Sequence, residues 1–218
     1  SIVFISLKPP GKPPGDISAN QMKKLAKLSK KFSFGEIRST HEQNLILPHV
    51  EKRYTFKIWE ELKKIGLSTP NIGLISDIIC CPGMDYCALA TARSIPISQK
   101  ISSVYEEYKT QKFIGNLKIK ISGCINACGH HHVGNIGILG LDRNGEESYQ
   151  ITLGGSATEN STIGQIVGPS FSENELLNAL KKISKTYEKN RSKDSEDFLT
   201  VFKRIGIHEF KKDLYGSS

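Results

Sequence analysis

The 218-residue sequence predicts an α+β protein built in two parts, and three observations support this prediction. Residues 1–66 alternate strand-like and helix-like segments in the order β-α-β-β-α. Residues 67–218 mix further strands and helices, and they contain all five cysteines. The contents of 38% hydrophobic and 24% charged residues are typical of a globular chain.

The first part is predicted to be half of a ferredoxin-like split sheet, because its element order matches that unit. In its first helix, Met22, Leu25 and Leu28 step by three along one face, and lysines occupy the other faces. In its second helix, Ile58 and Leu62 share a face. The predicted elements are a strand at 2–7, a helix at 19–31, strands at 35–39 and 43–48, and a helix at 55–65.

The second part is predicted to be a mixed α/β domain. Its two groups of cysteines follow apolar segments that are expected to be strands. Ser172 and Glu175 form a capping box, which predicts the start of a helix. That helix places four apolar side chains on one face: Leu176, Leu180, Ile183 and Tyr187. The predicted elements are strands at 72–79, 117–122, 135–141 and 148–153, a turn at 142–145, helices at 97–108 and after Ser172, and one or two short basic helices at 195–214.

The formal net charge of +8 is concentrated at the two ends of the chain. Residues 1–66 hold 13 Lys and Arg against 6 Asp and Glu. Two interpretations remain open: lysines solvated on helix faces, or a docking surface for an acidic partner or an anionic ligand. Nucleic acid is not expected as a partner, because neither zinc-finger spacing nor an aromatic-studded basic strand occurs.

The start of the chain bears on its location. The first residue is Ser1 rather than Met, and no basic and apolar leader follows it. We therefore expect a chain that begins inside a longer protein, has no signal peptide and lies in the cytoplasm. No membrane segment is expected, because no apolar run approaches roughly 20 residues.

The cysteines are the strongest indication of chemistry. Cys81 and Cys87 form a C-x5-C pair, and Cys124 and Cys128 form a C-x3-C pair. Clustered thiols in a reducing compartment indicate metal binding or catalysis. Four thiolates hold an iron–sulfur cluster or a zinc ion, and the C-x5-C spacing favours iron without excluding zinc or inert buried thiols. Cys80 is expected to be a small buried hydrophobic residue rather than a fifth ligand.

A distinctive run surrounds the second cysteine pair. Residues 122–129 read Ser-Gly-Cys-Ile-Asn-Ala-Cys-Gly, and three histidines and then residues 134–138, Gly-Asn-Ile-Gly-Ile, follow. This run resembles the siroheme and iron–sulfur signature of the nitrite/sulfite reductase family. Asn135 stands where that family usually has Asp or Glu, and we interpret it as a tolerated local change. The residues around Cys81 and the turn at 152–155 also resemble the family.

A second motif lies in the first part. Residues 38–44, Arg-Ser-Thr-His-Glu-Gln-Asn, resemble a motif in the split-sheet part of these enzymes, which occurs twice in the full protein. The half that feeds the substrate pocket has Arg directly before Gln, whereas this chain has Glu42 before Gln43. The chain therefore resembles the C-terminal half. The resemblance implies that the substrate-binding Arg and Lys residues belong to an N-terminal half of the same enzyme, which leaves the catalytic residues unknown.

The resemblance also implies cofactors and a reaction. Four cysteines would each bind one iron of a [4Fe-4S] cluster: Cys81, Cys87, Cys124 and Cys128. Cys128 would also bridge to the iron of siroheme, and Asn126 and the amide of Gly129 would donate hydrogen bonds beside the ligands. The implied reaction is the six-electron reduction of sulfite to sulfide, or of nitrite to ammonia, with a slight preference for sulfite. Ferredoxin or a flavoprotein would supply the electrons.

Further residues near the cysteines have weaker assignments. Siroheme carries many carboxylates, so Arg93, Lys118 and Lys120 are candidates to line its pocket. Structural or hydrogen-bonding roles are favoured for the histidines at 130–132 over contact with a cofactor. Two alternatives to the reductase remain. One is a thiolate-based zinc or iron–sulfur module without siroheme, and the other is a cluster-containing enzyme of the same family that acts on a corrinoid precursor.

Overall fold

The structure is a computed structural model that describes residues 1–216, and it contains two β-sheets. The first sheet has three strands in the order β1-β3-β2, and both pairings are antiparallel. Its β-α-β-β-α order is the one that the sequence predicts. The elements of this first unit are β1 (Val3–Ile5), α1 (Ala19–Phe32), β2 (Arg38–Ser39), β3 (Leu45–Leu47) and α2 (Thr55–Lys63).

Helix α1 shows how local chemistry sets these bounds. It begins after Ser18, whose hydroxyl accepts from the backbone N–H of Gln21, while the Gln21 side chain accepts from the backbone N–H of Ser18. This reciprocal capping satisfies two backbone donors that a helix start leaves open. Leu25 is buried in the core of the first unit, whereas Met22 is exposed. The core of the unit also contains Ile58 and Leu62 of α2, as predicted.

The second unit is built around a five-stranded sheet in the order β4-β5-β6-β7-β8. Strands β4, β5 and β6 are parallel to one another, and β7 and β8 continue the sheet in antiparallel pairings. The carboxyl ends of β4 and β5 therefore lie at the same edge of the sheet. The elements are β4 (Ile79–Cys80), α3 (Ile95–Val104), α4 (Tyr108–Ile114), β5 (Ile119–Ser122), β6 (Ile136–Arg143), β7 (Glu146–Leu153), β8 (Gln165–Ile166), α5 (Glu173–Asn190) and α6 (Phe198–Tyr215).

The main core lies between this sheet and the last two helices. Helix α5 begins at the predicted capping box, where the Glu175 carboxylate accepts from the backbone N–H and the hydroxyl of Ser172. The face of α5 predicted to be apolar is buried, and α6 adds a cluster of phenylalanines. Helix α6 is interrupted at Gly206, where φ is 73°, so the two predicted short helices follow each other closely.

The strand predicted at 72–79 is wrong except at its end, where β4 begins. The backbone N–H of Leu74 donates to the carbonyl of Asn71, and the N–H of Gly73 donates to the carboxylate of Asp77. These bonds form turns instead of an extended strand. Ile75 and Ile78 are buried in the main core, and the buried carboxylate of Asp77 accepts hydrogen bonds from Gly73 and Asn44.

The helix predicted at 97–108 ends earlier, at Val104, and α4 is a helix that was not predicted. Tyr105 leaves the helical conformation, and its hydroxyl lies 2.9 Å from the hydroxyl of Ser184 in α5. This buried tertiary contact ends α3 where the local pattern alone would continue it.

The predicted turn at 142–145 is tighter than expected. Strands β6 and β7 continue to Arg143 and Glu146, so only Asn144 and Gly145 form the turn. Both have positive φ, 59° and 88°, as a two-residue hairpin turn of this type requires. In the part of the chain that the structure describes, no helix has both the length and the apolar character needed to cross a membrane.

Candidate metal centre

The two cysteine groups meet at the carboxyl edge of β4 and β5. Cys81 follows β4 directly, and its backbone N–H donates to the carbonyl of Ile121 at 3.1 Å. The N–H of Gly123, just beyond β5, donates to the Sγ of Cys81 at 3.1 Å. The Oγ of Ser94 lies 3.4 Å from the same sulfur. The parallel pairing of two strands thus brings one cysteine of the first pair beside the start of the second pair.

The first loop turns back onto the second through close backbone contacts. The N–H of Cys87 donates to the carbonyl of Gly83 at 2.9 Å, and the N–H groups of Thr91 and Ala92 donate to the carbonyl of Gly123. A Cβ at Gly83 would lie 2.6 Å from the backbone nitrogen of Ser94, and a Cβ at Gly123 would lie 2.7 Å from the carbonyl oxygen of Ala92. Glycine is therefore needed at both positions for the loops to approach this closely.

The second loop closes on its own strand. The N–H of Ala127 donates to the carbonyl of Cys124, and Ala127 adopts a left-handed conformation with φ of 56°. The N–H of Gly129 donates to the hydroxyl of Ser122 at 3.1 Å. A Cβ at Gly129 would lie only 1.8 Å from the carbonyl oxygen of Ile121. The Gly129 amide thus supports the loop through Ser122.

The five thiols are free, but their exposure differs. Cys81 and Cys124 are buried, Cys87 is half-buried and Cys128 is exposed. Cys80 is 4% exposed, as predicted, and its Sγ donates to the carbonyl of Cys81. Burial, together with repulsion from Cys81 and Asp85, raises the pKa of the Cys80 thiol well above its ordinary value. Cys80 is therefore an unreactive thiol.

The four thiols are donors of the kind that an iron–sulfur cluster takes, and the binding of all four to one cluster stays a prediction. Among residues 1–216, no three His, Cys, Asp or Glu side chains lie close enough together to share a single metal ion. A [4Fe-4S] cluster differs from a single ion, because each of its thiolates binds a different iron and the sulfur atoms are spread more widely. The N–H donor at the Cys81 sulfur is the kind of hydrogen bond that stabilises charge on a cluster ligand.

The predicted basic residues are largely engaged with carboxylates. The guanidinium of Arg93 lies 2.6 Å from Glu147. The ammonium of Lys118 lies 2.8 Å from the carboxylate of Glu42. Lys120 is buried, and burial lowers the pKa of its ammonium. Their contact with siroheme stays a prediction.

The three histidines face different surroundings. His130 and His132 are exposed, whereas His131 is 2% exposed and packs against His132 with ring centroids 4.0 Å apart and the ring planes tilted by 31°. Burial, together with the neighbouring His132, lowers the pKa of His131 to about 4. His131 is therefore neutral at physiological pH. Asn126 is also exposed, and its hydrogen bond to a cluster sulfur stays a prediction.

Asn135, the position that departs from the family pattern, has a structural reason. Its Oδ1 accepts from the backbone N–H of Lys118 at 2.8 Å, and its Nδ2 donates to the carbonyl of Gly155 at 3.0 Å. A carboxylate accepts but does not donate, so the amide satisfies both backbone partners where an acid satisfies one. The change is therefore accommodated, and the Asn135 side chain ties the residue before β5 to the Gly154-Gly155 turn.

Gln43 and Ser94 also contact the cysteine site, and neither has an individual role among the sequence-based predictions. Gln43 bonds the backbone of Cys80, the residue before the first ligand candidate. Ser94 lies beside the sulfur of Cys81. Gln43 belongs to the motif at 38–44, which was the available signal, whereas nothing local marks Ser94.

Two family descriptions match nearly the whole chain. Residues 74–217 match the family described as the Nitrite and sulphite reductase 4Fe-4S domain. Residues 2–65 match the Nitrite/Sulfite reductase ferredoxin-like half domain. The chain belongs to the nitrite and sulfite reductase family. The predicted [4Fe-4S] cluster and siroheme are the cofactors of this family, and the relatives named below are reductases.

Curated relatives include both nitrite and sulfite reductases. The chain is 29% identical to the chloroplastic ferredoxin–nitrite reductase of Arabidopsis thaliana over 78% of its own length and 30% of that protein. It is also 29% identical to the sulfite reductase [NADPH] hemoprotein beta-component of Bacillus licheniformis, over 81% of its own length and 31% of that protein. The chain thus spans less than a third of these relatives.

A third relative has a similar size, and two solved structures share the fold. The chain is 24% identical to the assimilatory-type sulfite reductase of Nitratidesulfovibrio vulgaris, over 84% of this chain and 81% of that protein. The Mycobacterium tuberculosis NirA protein matches with a TM-score of 0.78 at 22% identity, covering 96% of this chain and 39% of NirA. Dissimilatory sulfite reductase I matches with a TM-score of 0.78 at 12% identity, covering 100% of this chain and 69% of that chain. These likenesses confirm the predicted fold class.

Proposed function

We propose that this chain is the cofactor-binding C-terminal half of a siroheme-dependent reductase that converts sulfite to sulfide or nitrite to ammonia by six electrons. In this proposal four cysteines hold the [4Fe-4S] cluster: Cys81, Cys87, Cys124 and Cys128. The observation that carries the proposal is the contact between the two cysteine loops, in which the N–H of Gly123 donates to the sulfur of Cys81. When bound, the cluster and siroheme supply the electron transfer, and the protein supplies placement and electrostatics.

The exposure of the four thiols supports different roles for them. Cys81 and Cys124 are buried, which suits ligands on the side of the cluster nearer the interior of the domain. Cys128 is exposed, which suits a thiolate that would hold siroheme as well as the cluster. The N–H of Gly123 and the hydroxyl of Ser94 stabilise negative charge on the sulfur of Cys81.

The environment of Glu42 supports the assignment to the C-terminal half. The position before Gln43 carries a carboxylate that pairs with Lys118 at 2.8 Å, instead of an arginine that is free to bind an anion. We expect the substrate-binding Arg and Lys residues in an N-terminal half of the same enzyme. We also propose that the protein lies in the cytoplasm and that ferredoxin or a flavoprotein donates its electrons.

A second candidate is a small sulfite reductase in which one chain of this size carries the activity. The relative of similar size from Nitratidesulfovibrio vulgaris favours it. The two candidates share the cluster ligands and differ in whether the isolated chain turns over sulfite. For the first candidate we favour sulfite slightly over nitrite.

Anaerobic reconstitution tests the proposal. The purified chain is incubated with iron and sulfide, and the reduced sample is examined by electron paramagnetic resonance (EPR). We expect the signal of a reduced [4Fe-4S] cluster, and we expect Cys87→Ser to abolish it. Cys80→Ser is the matched control, because Cys80 neighbours a ligand candidate without being one, and a serine hydroxyl also donates to the carbonyl of Cys81.

The remaining alternatives give different results in the same samples. Uptake of zinc without any cluster would contradict the reductase proposal, and a cluster without siroheme binding would favour the simple iron–sulfur module. Preference for a corrinoid precursor over siroheme would favour the precursor enzyme. With both cofactors bound and reduced methyl viologen as donor, we expect no sulfite turnover from the chain alone, whereas turnover would favour the single-chain enzyme.

A further inference from the structure

Gln43 makes an unusual pair of bonds to the strand that leads into the cysteine site. Its Nε2 donates to the carbonyl oxygen of Cys80 at 2.7 Å, and its Oε1 accepts from the backbone N–H of Cys80 at 3.0 Å. The two residues are 37 positions apart and belong to different units of the protein. One side-chain amide thus satisfies both backbone groups of a single residue.

This arrangement reproduces the edge of a β-ladder. In an antiparallel pair, two residues exchange an N–H and a carbonyl bond, and the Gln43 amide presents the same donor and acceptor to Cys80. Strand β4 has only two residues, and β5 pairs with it on the other side. Gln43 therefore clamps the short strand from its otherwise open edge.

The next residue is the first ligand candidate. The backbone N–H of Cys81 donates to Ile121 in β5, and its sulfur accepts from Gly123. The position of the Cys81 sulfur thus depends on a backbone that Gln43 fixes on one side and β5 fixes on the other.

Gln43 lies in a turn that the hydrogen bonds of its neighbour Asn44 hold in place. The neighbouring Asn44 is buried, its Oδ1 accepts from the backbone N–H of Leu7, and its Nδ2 donates to the carboxylate of Asp77. The N–H of Asn44 also donates to the hydroxyl of Thr40, which closes the turn between β2 and β3. The half domain therefore presents the Gln43 amide from an anchored turn.

We propose that Gln43 is a positioning residue for the cluster, which holds the Cys80 backbone so that Cys81 projects correctly toward the iron it binds. This proposal rests on the proposed function, and it gives the ferredoxin-like half domain a direct role at the cluster. Glutamine suits the role because it carries a donor and an acceptor at the required reach. Glutamate keeps only the acceptor, and methionine keeps the length but neither hydrogen-bonding group.

The test compares three full-length variants with the wild type. Gln43→Met removes both bonds, and Gln43→Glu removes the donor. Gln99→Met is the matched control, because the Gln99 side chain also bonds a backbone carbonyl across the two units, that of Gly11 at 3.1 Å, but does so away from the cysteines. Neither substitution of Gln43 introduces a β-branched side chain, which would be strained at its positive φ of 56°.

The first measurement needs no cluster. NMR monitors hydrogen exchange of the Cys80 backbone N–H in the protein without iron. We expect this exchange to be on the order of tenfold faster in Gln43→Met, because the Cys80 N–H loses its hydrogen-bond acceptor. Gln43→Glu is expected to retain most of the protection. Gln99→Met is expected to match the wild type at Cys80.

The second measurement uses the cluster-loaded protein. We expect the EPR spectrum of the reduced cluster to change in both Gln43 variants, while that of Gln99→Met superimposes on the wild type. Unchanged exchange at Cys80 in Gln43→Met, or unchanged spectra in both Gln43 variants, would overturn the proposal. If Gln43→Met does not fold, Gln43→Glu decides by its spectrum. If the wild type forms no cluster, the proposed function fails, and with it the role of Gln43 at the cluster, although the exchange result still shows whether the clamp exists.

Discussion

At the scale of single residues, the close approach of the two cysteine loops depends on positions where no side chain fits. Gly83 and Gly123 face each other across the loops, and Gly129 lies against the backbone of Ile121. The cysteine spacing could be recognised in the sequence. The need for these glycines could not, because it arises only when the loops are brought together in space.

Gly129→Ala is expected to destabilise the protein by about 3 kcal/mol or more, because its Cβ would lie 1.8 Å from the carbonyl oxygen of Ile121, which belongs to a central strand and cannot move away. Urea denaturation measures the loss. Gly164→Ala is the control, since its Cβ would lie 3.1 Å from Thr152 and 3.3 Å from the carbonyl oxygen of Leu153, and the substitution should cost about 1 kcal/mol or less. Equal stability of the two variants would contradict this account.

Asn135→Asp is expected to destabilise the protein even though it restores the acid usual in the family. The introduced carboxylate still accepts from Lys118, but it cannot donate to the carbonyl of Gly155. The loss of this buried bond should cost about 1–3 kcal/mol in urea denaturation. Asn116→Asp tests whether added negative charge alone explains the change, and it should cost clearly less. A gain in stability from Asn135→Asp would refute the role assigned to the amide.

At the scale of elements, the predictable parts were those with local signals. The capping box predicted the start of α5, and the periodic apolar residues predicted α1 and α2. The strand predicted at 72–79 was wrong because hydrogen bonds to Asn71 and to the buried carboxylate of Asp77 fold this segment into turns. The end of α3 failed because Tyr105 contacts a helix about 80 residues away, at Ser184. Specific hydrogen bonds outweighed the apolar pattern in both cases.

Gly145→Val is expected to destabilise the β6–β7 hairpin by about 1–2 kcal/mol, because a β-branched residue is strained at φ of 88°. No atom lies within 4 Å of a Cβ at this position, so the loss reports backbone strain alone. Urea denaturation provides the value. Asn144→Gly, which keeps a residue suited to positive φ, should change stability by less than about 1 kcal/mol, and a similar loss in both variants would argue against the turn geometry.

At the scale of the whole molecule, a buried ion pair joins the two units. The ammonium of Lys8 lies 2.7 Å from the carboxylate of Asp77, and their side chains are 2% and 0% exposed. Asn44 donates to the same carboxylate. Lys8 and Asp77 are 69 positions apart, and Gln43 and Cys80 are 37 positions apart. Contacts over such separations leave no local signal in the sequence, so the way in which the two sheets are joined could not be predicted from it.

Asp77→Asn is expected to cost about 3–5 kcal/mol at neutral pH, because it leaves the Lys8 ammonium buried without its counter-charge. Thermal and urea denaturation measure the loss. Glu51→Gln removes the partner of the exposed Arg53 and should cost less than about 1 kcal/mol. Comparable losses in the two variants would show that burial does not strengthen the Lys8–Asp77 pair.

The pH dependence of this pair has a defined sign. Burial acts to raise the pKa of Asp77, but Lys8, the N–H of Gly73 and Asn44 outweigh burial, so the pKa lies below its ordinary value of 3.8. The stabilisation is therefore complete above that value and is lost as pH falls through the lower pKa of the folded state. The stability gap between the wild type and Asp77→Asn should narrow below about pH 4, and a gap that widens there would contradict the assignment.

Native mass spectrometry of the anaerobically reconstituted chain tests the central claim most directly, since it counts the atoms that the cysteines hold. We predict a mass gain of four irons and four sulfides per chain, retained in Cys80→Ser and lost in Cys128→Ser. A chain that instead carries a single zinc ion, or that holds the full cluster after Cys128→Ser, would contradict the claim that Cys81, Cys87, Cys124 and Cys128 together bind one cluster.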